Sequence, residues 1–98
     1  MILHKSCVGY HVVFMPAALK DLAKIDQSHV SVILDKIKSL IVGQLNLDIK
    51  KLKSQHELYR LRAGEYRIVY SINNKQIAVY VVAVGHRKEV YKKAFKRI

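Results

Sequence analysis

The spacing of apolar residues changes along the chain, from a helical period in the first half to a strand period in the second. A β-branched apolar segment runs from His11 to Met15, which is typical of a strand. Pro16 follows, and proline suits the first position of a helix because its φ is already fixed near the helical value. The sequence therefore predicts a strand followed at once by a helix from Pro16 to Ile25.

A second helix is predicted after Ser28, which can cap its amino end, and Gly43 can end it. The apolar positions in between recur about every 3.6 residues, the period of an α-helix. They are Val30, Ile33, Leu34, Ile37, Leu40 and Ile41. One side of this helix is therefore expected to pack on the rest of the fold.

The segment from Gln44 to Glu57 is polar, bears lysines and lacks clear periodicity, so we expect a connection there. Beyond it the pattern alternates with a period of two, which predicts strands. The three predicted strands are Leu58 to Arg62, Tyr66 to Ile72 and Ile77 to Val84. Short turn sequences separate them, so neighbouring strands must be antiparallel. The last strand is apolar on both faces and is expected to be central and covered.

A short basic helix from Lys88 to Ile98 completes the pattern. The predicted fold is α+β with the order β-α-α-β-β-β-α. Two helices pack on one face of a four-stranded, mainly antiparallel sheet, whose other face stays partly open. A chain of 98 residues fits one domain over 1–98.

The net charge of +11 is unevenly distributed. Residues 1–49 hold five lysines and four acids, whereas residues 50–98 hold thirteen basic residues and three acids. All five arginines lie in the second half, and the planar guanidinium suits phosphate oxygens. Such an excess indicates a polyanionic partner, and nucleic acid is the commonest of these, ahead of an anionic membrane surface.

Other features of the sequence bear on the cellular compartment, membrane association and cofactors. Cys7 is the single cysteine, so an intramolecular disulfide is excluded and a reducing cytoplasm fits. No apolar run approaches the roughly 20 residues of a membrane span, so we expect a soluble, cytoplasmic protein without membrane association. The five histidines lack metal-ligand spacing, and no metal or other cofactor is expected.

Three arginines are predicted to share one face of the sheet. Alternation along the first hairpin strand sends Tyr59 and Leu61 to one side and Arg60 and Arg62 to the other. On the next strand Arg67 falls on the side opposite the apolar positions. Cations crowded across neighbouring strands repel one another. Their convergence makes sense when an anion neutralises them.

Three further candidates follow the last strand. Arg87 could stabilise transition-state charge and Tyr91 could stack on a base, while His86 could act as a general acid or base. Each also has a structural interpretation that stays open. Arg87 could pair with Glu65 or Glu89, Tyr91 could be a core residue of the terminal helix, and His86 could have no catalytic role.

Two motifs in this order and spacing resemble the signature of RelE-type toxins within the RelE/ParE superfamily. They are Tyr59-Arg60-Leu61-Arg62-Ala63-Gly64-Glu65-Tyr66-Arg67-Ile68-Val69-Tyr70 and Val84-Gly85-His86-Arg87-Lys88-Glu89-Val90-Tyr91. The opening segments Val12-Val13-Phe14 and Ala18-Leu19-Lys20-Asp21-Leu22 also fit that family. The resemblance extends over about residues 10–95.

This resemblance implies a type II toxin that enters the ribosomal A site and cleaves mRNA codons without a metal. The RNA's own 2′-hydroxyl would attack the adjacent phosphate and leave a 2′,3′-cyclic phosphate. Arg67 would hold the scissile phosphate, Arg87 would stabilise charge or assist the leaving 5′-oxygen, and Tyr91 would stack on a base. Arg60 and Arg62 stand where the best-known member has lysines, and arginine is a poor general base. Either electrostatic stabilisation suffices, or His86 or another group accepts the proton.

The resemblance also implies partners. These are a RelB-like antitoxin that wraps the toxin and covers or displaces its terminal helix, the 70S ribosome with mRNA in the A site, and ribosomal RNA. Lysines near the motifs are expected to add affinity for RNA: Lys50, Lys51, Lys53 and Lys88. Two alternatives stay open, a ParE-like inhibitor of DNA gyrase without nuclease activity and a catalytically degenerate RNA-binding member.

Overall fold

The protein forms three helices and five strands in a computed structural model that describes residues 7–52, 57–87 and 89–98. In chain order the elements are β1 (His11–Phe14), α1 (Pro16–Ala23), α2 (Gln27–Val42), β2 (Ile49–Lys51), β3 (Leu58–Ala63), β4 (Tyr66–Asn73), β5 (Ala78–His86) and α3 (Glu89–Arg97). The predicted α+β class is confirmed. Within the described ranges no helix is long and apolar enough to cross a membrane.

The predicted count of four strands is wrong, because β2 forms inside the segment interpreted as a connection. This strand is three residues long and pairs antiparallel with β3 at the edge of the sheet. Leu47 and Ile49 are half-buried against the core, while the intervening Asp48 is exposed. So short an alternation is indistinguishable from a loop in the sequence, and pairing with β3 is what stabilises it.

The sheet order is β1-β5-β4-β3-β2. β1 pairs parallel with β5, and every other neighbouring pair is antiparallel, so the mainly antiparallel prediction is confirmed. β5 lies between β1 and β4 and is buried along almost its whole length, as its two apolar faces predicted. It begins at Ala78 rather than Ile77, which adopts φ +53° in the preceding turn.

Each face of the sheet has its own apolar core. The helix-side core lies beneath α1 and α2, and Ala18, Ile33 and Ile37 pack there against the sheet. The α3-side core lies on the other face, where Val90 and Ala94 of α3 are fully buried. The face expected to be partly open is therefore covered in part by α3.

Two helix ends differ from the sequence prediction. The cap of α2 is Asp26 rather than Ser28, because the Asp26 carboxylate accepts the Ser28 amide at 3.1 Å. Helix α1 ends at Ala23 instead of Ile25. Gly43 ends α2 as predicted, in the left-handed region with φ +79°, where a side chain would be strained.

Asp21 of α1 joins both helical layers to the edge of β5. This carboxylate is buried and accepts hydrogen bonds from the Val84 amide at 3.0 Å, from Lys93 at 3.2 Å, and from both terminal nitrogens of Arg97 at 2.7 and 3.1 Å. Lys93 and Arg97 also donate to carbonyls of β5. These bonds satisfy backbone groups of β5 that lie beyond the part paired with β1, and they hold α3 on the sheet.

Candidate active site

The hairpin of β3 and β4 brings three of the predicted arginines onto the α3 side of the sheet. Arg62 lies directly opposite Arg67, and Arg60 lies opposite Val69 of the α3-side core. Arg62 is exposed and Arg67 is half-buried. Two guanidinium groups at directly opposed positions repel each other, so this pair needs acceptors around it.

A single backbone carbonyl holds the opposed pair together. The Gly64 oxygen accepts from Nε of Arg62 at 3.3 Å and from Nη1 of Arg67 at 3.0 Å, and Arg67 also donates to the Tyr66 carbonyl at 3.1 Å. Gly64 adopts φ +63° in the two-residue turn, a conformation that glycine reaches without strain. The turn therefore aims its carbonyl at both guanidiniums and fixes their orientation.

Arg60 is held by an acid that the sequence prediction did not include. Its Nη2 donates to Oδ1 of Asp48 at 2.6 Å, and Nη1 of Arg62 lies 3.8 Å from the other carboxylate oxygen. The Arg60 side chain is only 16% exposed, whereas that of Asp48 is 52% exposed. An acid beside Ile49 in a lysine-rich segment was the available signal, but it required recognition of β2.

Arg87 and His86 meet a different acid at the tip of the hairpin. Nη2 of Arg87 lies 3.4 Å from Oε2 of Glu65, and Nε2 of His86 lies 3.7 Å from the same oxygen. All three side chains are at least half exposed, so this contact is weak and exchangeable. Arg87 adopts φ +48°, which turns the chain sharply after β5.

His86 lies on the helix side of the sheet, away from the opposed arginines. It pairs with Tyr66 across the strands, and their rings meet edge to face with centroids 5.3 Å apart. His29 of α2 packs on the same Tyr66 ring at 5.2 Å. Gly85 precedes His86 and pairs with Arg67 on the α3 side. The structure therefore does not bring His86 together with Arg62 and Arg67.

Tyr91 lies on the same side of the sheet as the arginines. It is half-buried and packs against the α3-side core. Gly85 lets α3 approach closely, because a side-chain carbon there would lie 3.2 Å from Nζ of Lys93 and 3.4 Å from Cβ of Val90. Helix α3 thereby borders the arginine cluster, defined here as Arg60, Arg62 and Arg67.

The lysines expected to bind RNA are placed only in part. Lys50 lies opposite Arg60 on the exposed edge strand, and Lys51 lies 3.8 Å from Glu57. Lys53 and Lys88 lie outside the described residues. Among 7–52, 57–87 and 89–98, no three His, Cys, Asp or Glu side chains form a group that could hold a metal ion.

Comparison with known proteins identifies the family. Residues 12–91 match the model of the ParE toxin of the type II toxin–antitoxin system parDE. The chain belongs to the RelE/ParE superfamily of type II toxins. It is 32% identical to the mRNA interferase toxin RelE of Escherichia coli K12 over 98 alignment positions, which cover 93% of this chain and 99% of that toxin.

Solved structures agree with this assignment. The fold is similar to RelE in the RelE–RelB complex of Pyrococcus horikoshii, with a TM-score of 0.66 and 27% identity, covering 83% of this chain and 98% of that one. It is equally similar to the isolated RelE toxin of E. coli, with a TM-score of 0.66 and 29% identity, covering 91% of this chain and 98% of that one.

Proposed function

We propose that this protein is the toxin of a type II toxin–antitoxin system and an endoribonuclease that cleaves mRNA codons in the ribosomal A site. The observation that carries this proposal is the opposed pair Arg62 and Arg67, held by one carbonyl on an exposed sheet surface. A phosphodiester is the anion that such a pair suits. The curated relative named an mRNA interferase supports the same reaction class.

The proposed chemistry is an attack of the substrate's own 2′-hydroxyl on the adjacent phosphate. The bond from O2′ to phosphorus forms, the bond from phosphorus to O5′ breaks, and the products are a 2′,3′-cyclic phosphate and a 5′-hydroxyl. Arg67 holds the scissile phosphate and Arg62 stabilises the additional negative charge of the phosphorane. These guanidiniums supply the positive charge that a metal ion supplies in other nucleases, so the step is written without a metal.

The arginines act by charge and orientation rather than by proton abstraction. A guanidinium stays protonated in proteins, so it is a poor general base. We assign the 2′-hydroxyl proton to solvent, because His86 packs on the far side of the sheet. Arg87 stabilises the leaving oxygen, which takes a proton from water, and Tyr91 stacks on a base beside the cluster.

The proposed resting partner is a RelB-like antitoxin. The similar P. horikoshii toxin was solved as a RelE–RelB complex, which supports such a partner here. An acidic segment suits a chain of net charge +11, since it would neutralise the arginine cluster and α3. In the active state the partners are the 70S ribosome, its RNA and the mRNA in the A site.

Mapping mRNA 5′ ends on programmed ribosomes tests this function. Wild-type protein is expected to cut at A-site codons and leave a 5′-hydroxyl, and Arg67→Ala and Arg87→Ala are each expected to lower kcat by about 100-fold or more. Lys75→Ala is the matched control, because Lys75 lies exposed in the turn between β4 and β5 at the opposite end of the hairpin strands.

Two results would reject parts of the proposal. Absence of A-site cleavage by the wild type, together with gyrase-linked DNA breaks in cells, would replace the nuclease with the gyrase-inhibitor alternative. Cleavage that persists unchanged in both arginine variants would remove the site assignment while leaving the activity in place.

A further inference from the structure

Asp48 contacts Arg60 and Arg62 of the arginine cluster, although the sequence prediction did not include it. Oδ1 accepts from Arg60 at 2.6 Å and Oδ2 lies 3.8 Å from Arg62. Its own carbonyl accepts the Arg62 amide at 3.0 Å, so backbone and side chain both bind β3. The carboxylate therefore sits at the edge of the arginine cluster, on the side of β2.

Arg60 is held in place by its hydrogen bond to this carboxylate. The Arg60 side chain is 16% exposed, and within the described part of the chain its Nε is buried without a hydrogen-bond partner. A half-satisfied buried cation is costly, so the charge-assisted bond to Asp48 is what keeps Arg60 in this position. Removing the acid leaves Arg60 near Lys50 and Arg62, and the described residues then give it no other acidic partner.

The charge balance also favours an acid at this position. Arg60, Arg62 and Arg67 carry three positive charges, and Asp48 reduces the cluster to a net charge of two. The proposed phosphorane carries two negative charges, so the cluster with Asp48 matches the transition state. Without Asp48, repulsion would move Arg60 away from Arg62 and Arg67, which the Gly64 carbonyl still holds.

We propose that Asp48 is a positioning residue that orients Arg60 and Arg62 toward the scissile phosphate of the RNA. The inference rests on the proposed nuclease function. Asp48 acts through the two guanidiniums and needs no contact with the substrate. Loss of Asp48 is expected to lower kcat, because a displaced guanidinium no longer contacts the phosphorane while the remaining basic residues still bind the RNA.

The test compares Asp48→Ala and Asp48→Asn with wild type on programmed ribosomes. Asp48→Ala is expected to lower kcat by about 10- to 100-fold, because misplacing a catalytic group by about an ångström costs that much. Binding of an mRNA with a 2′-deoxy nucleotide at the scissile position is expected to change less than about threefold, because removing an acid does not weaken the attraction to phosphate. Asp48→Asn keeps an acceptor oxygen for Arg60 and is expected to recover part of the loss.

The matched control is Glu57→Gln, which removes one negative charge near the same strands. Glu57 is 56% exposed and lies 3.8 Å from Lys51, so its surroundings resemble those of Asp48 without a contact to the cluster. Unchanged kcat is expected. Thermal unfolding of all variants shows that each is folded under assay conditions.

Two kinetic outcomes would overturn the proposal. If Asp48→Ala has the same kcat as Glu57→Gln, the contacts of Asp48 with Arg60 and Arg62 do not contribute to catalysis. Equal losses in Asp48→Asn and Asp48→Ala would show that the hydrogen bond from Arg60 to residue 48 does not carry the effect. If the wild type does not cleave mRNA, the proposed nuclease function is wrong. The side-chain NMR signal of Arg60 Nε then still tests whether Asp48 positions Arg60. A signal that shifts in Asp48→Asn but not in Glu57→Gln supports it, and an unmoved signal overturns it.

Discussion

Gly85 and His86 are adjacent at the end of β5 but lie on opposite faces of the sheet, so they contact different residues. Gly85 pairs with Arg67 beside α3, whereas His86 pairs with Tyr66 and packs on its ring beside α2. The two-residue period of a strand makes this division unavoidable. An imidazole on the Tyr66 side is separated by the sheet from a phosphate held by Arg67.

His86→Phe is therefore expected to leave the pH–rate profile of cleavage unchanged and kcat within about threefold of wild type, whereas loss of a general base costs 100-fold or more. Phenylalanine keeps a ring against Tyr66, so the fold is preserved. Single-turnover rates on programmed ribosomes across pH 5 to 9, at about half-unit steps, provide the measurement. A profile that loses a limb in the variant would assign His86 to proton transfer.

At the scale of elements, α3 is attached through charge as well as through apolar packing. Asp21 lies 76 positions before Arg97 along the chain and binds it by two hydrogen bonds. Burial alone raises the pKa of Asp21, but hydrogen bonds from Arg97, the Val84 amide and Lys93 outweigh it and leave the pKa below its ordinary value. Because α3 carries Tyr91, the attachment also positions the residue proposed to stack on a base.

Asp21→Asn is expected to lower the free energy of unfolding by about 1–3 kcal/mol at neutral pH, because it leaves two cations without their anion. A lowered pKa stabilises the folded state above the ordinary value of 3.8 and is lost as the pH falls through the lowered pKa. The difference between variant and wild type should therefore be full at neutral pH and shrink below pH 3.8. Urea unfolding at several pH values measures it.

The control for this comparison is Asp35→Asn, which removes the same charge from an exposed position on α2. It is expected to change the free energy of unfolding by less than about 0.5 kcal/mol, as is usual for exposed positions. A pH-independent deficit in Asp21→Asn would mean that packing rather than the ion pair attaches α3.

At the scale of the whole molecule, the charge of +11 has two separable effects. A broad excess would attract RNA from a distance, while in the proposed site the cluster of Arg60, Arg62 and Arg67 binds one phosphate at short range. Charges that contact phosphate release counterions, so only those charges set the salt dependence of binding.

Replacing both Arg62 and Arg67 by Gln is expected to reduce the slope of log K against log salt by about 0.7, since the pair neutralises one phosphate in the proposed site and each neutralised phosphate of a single strand contributes about 0.7. Replacing Lys20 and Lys75 by Gln removes the same charge from exposed positions on α1 and in the turn after β4. That pair should leave the slope unchanged. Fluorescence anisotropy with a 2′-deoxy-substituted RNA measures both slopes, and equal changes would mean that total charge alone governs binding.

The sequence by itself determined the α+β class, the two hairpin pairings among β3, β4 and β5, and the faces of Arg60, Arg62 and Arg67. Each of these follows from a local period or a short turn, and such local signals do not depend on tertiary contacts. The alternation of Leu58 to Arg62 was sufficient to send two arginines to one side. Gly43 likewise ended α2 where the pattern placed it.

Tertiary structure decided what no local period encodes. Strand β2 exists because β3 offers it an edge, and Asp48 reaches Arg60 only after that pairing has formed. The bond from Asp21 to Arg97 joins the first helix to the last. Contacts between residues far apart in sequence depend on how elements pack, so the acids that hold Arg60 and Arg97 became visible only in the folded molecule.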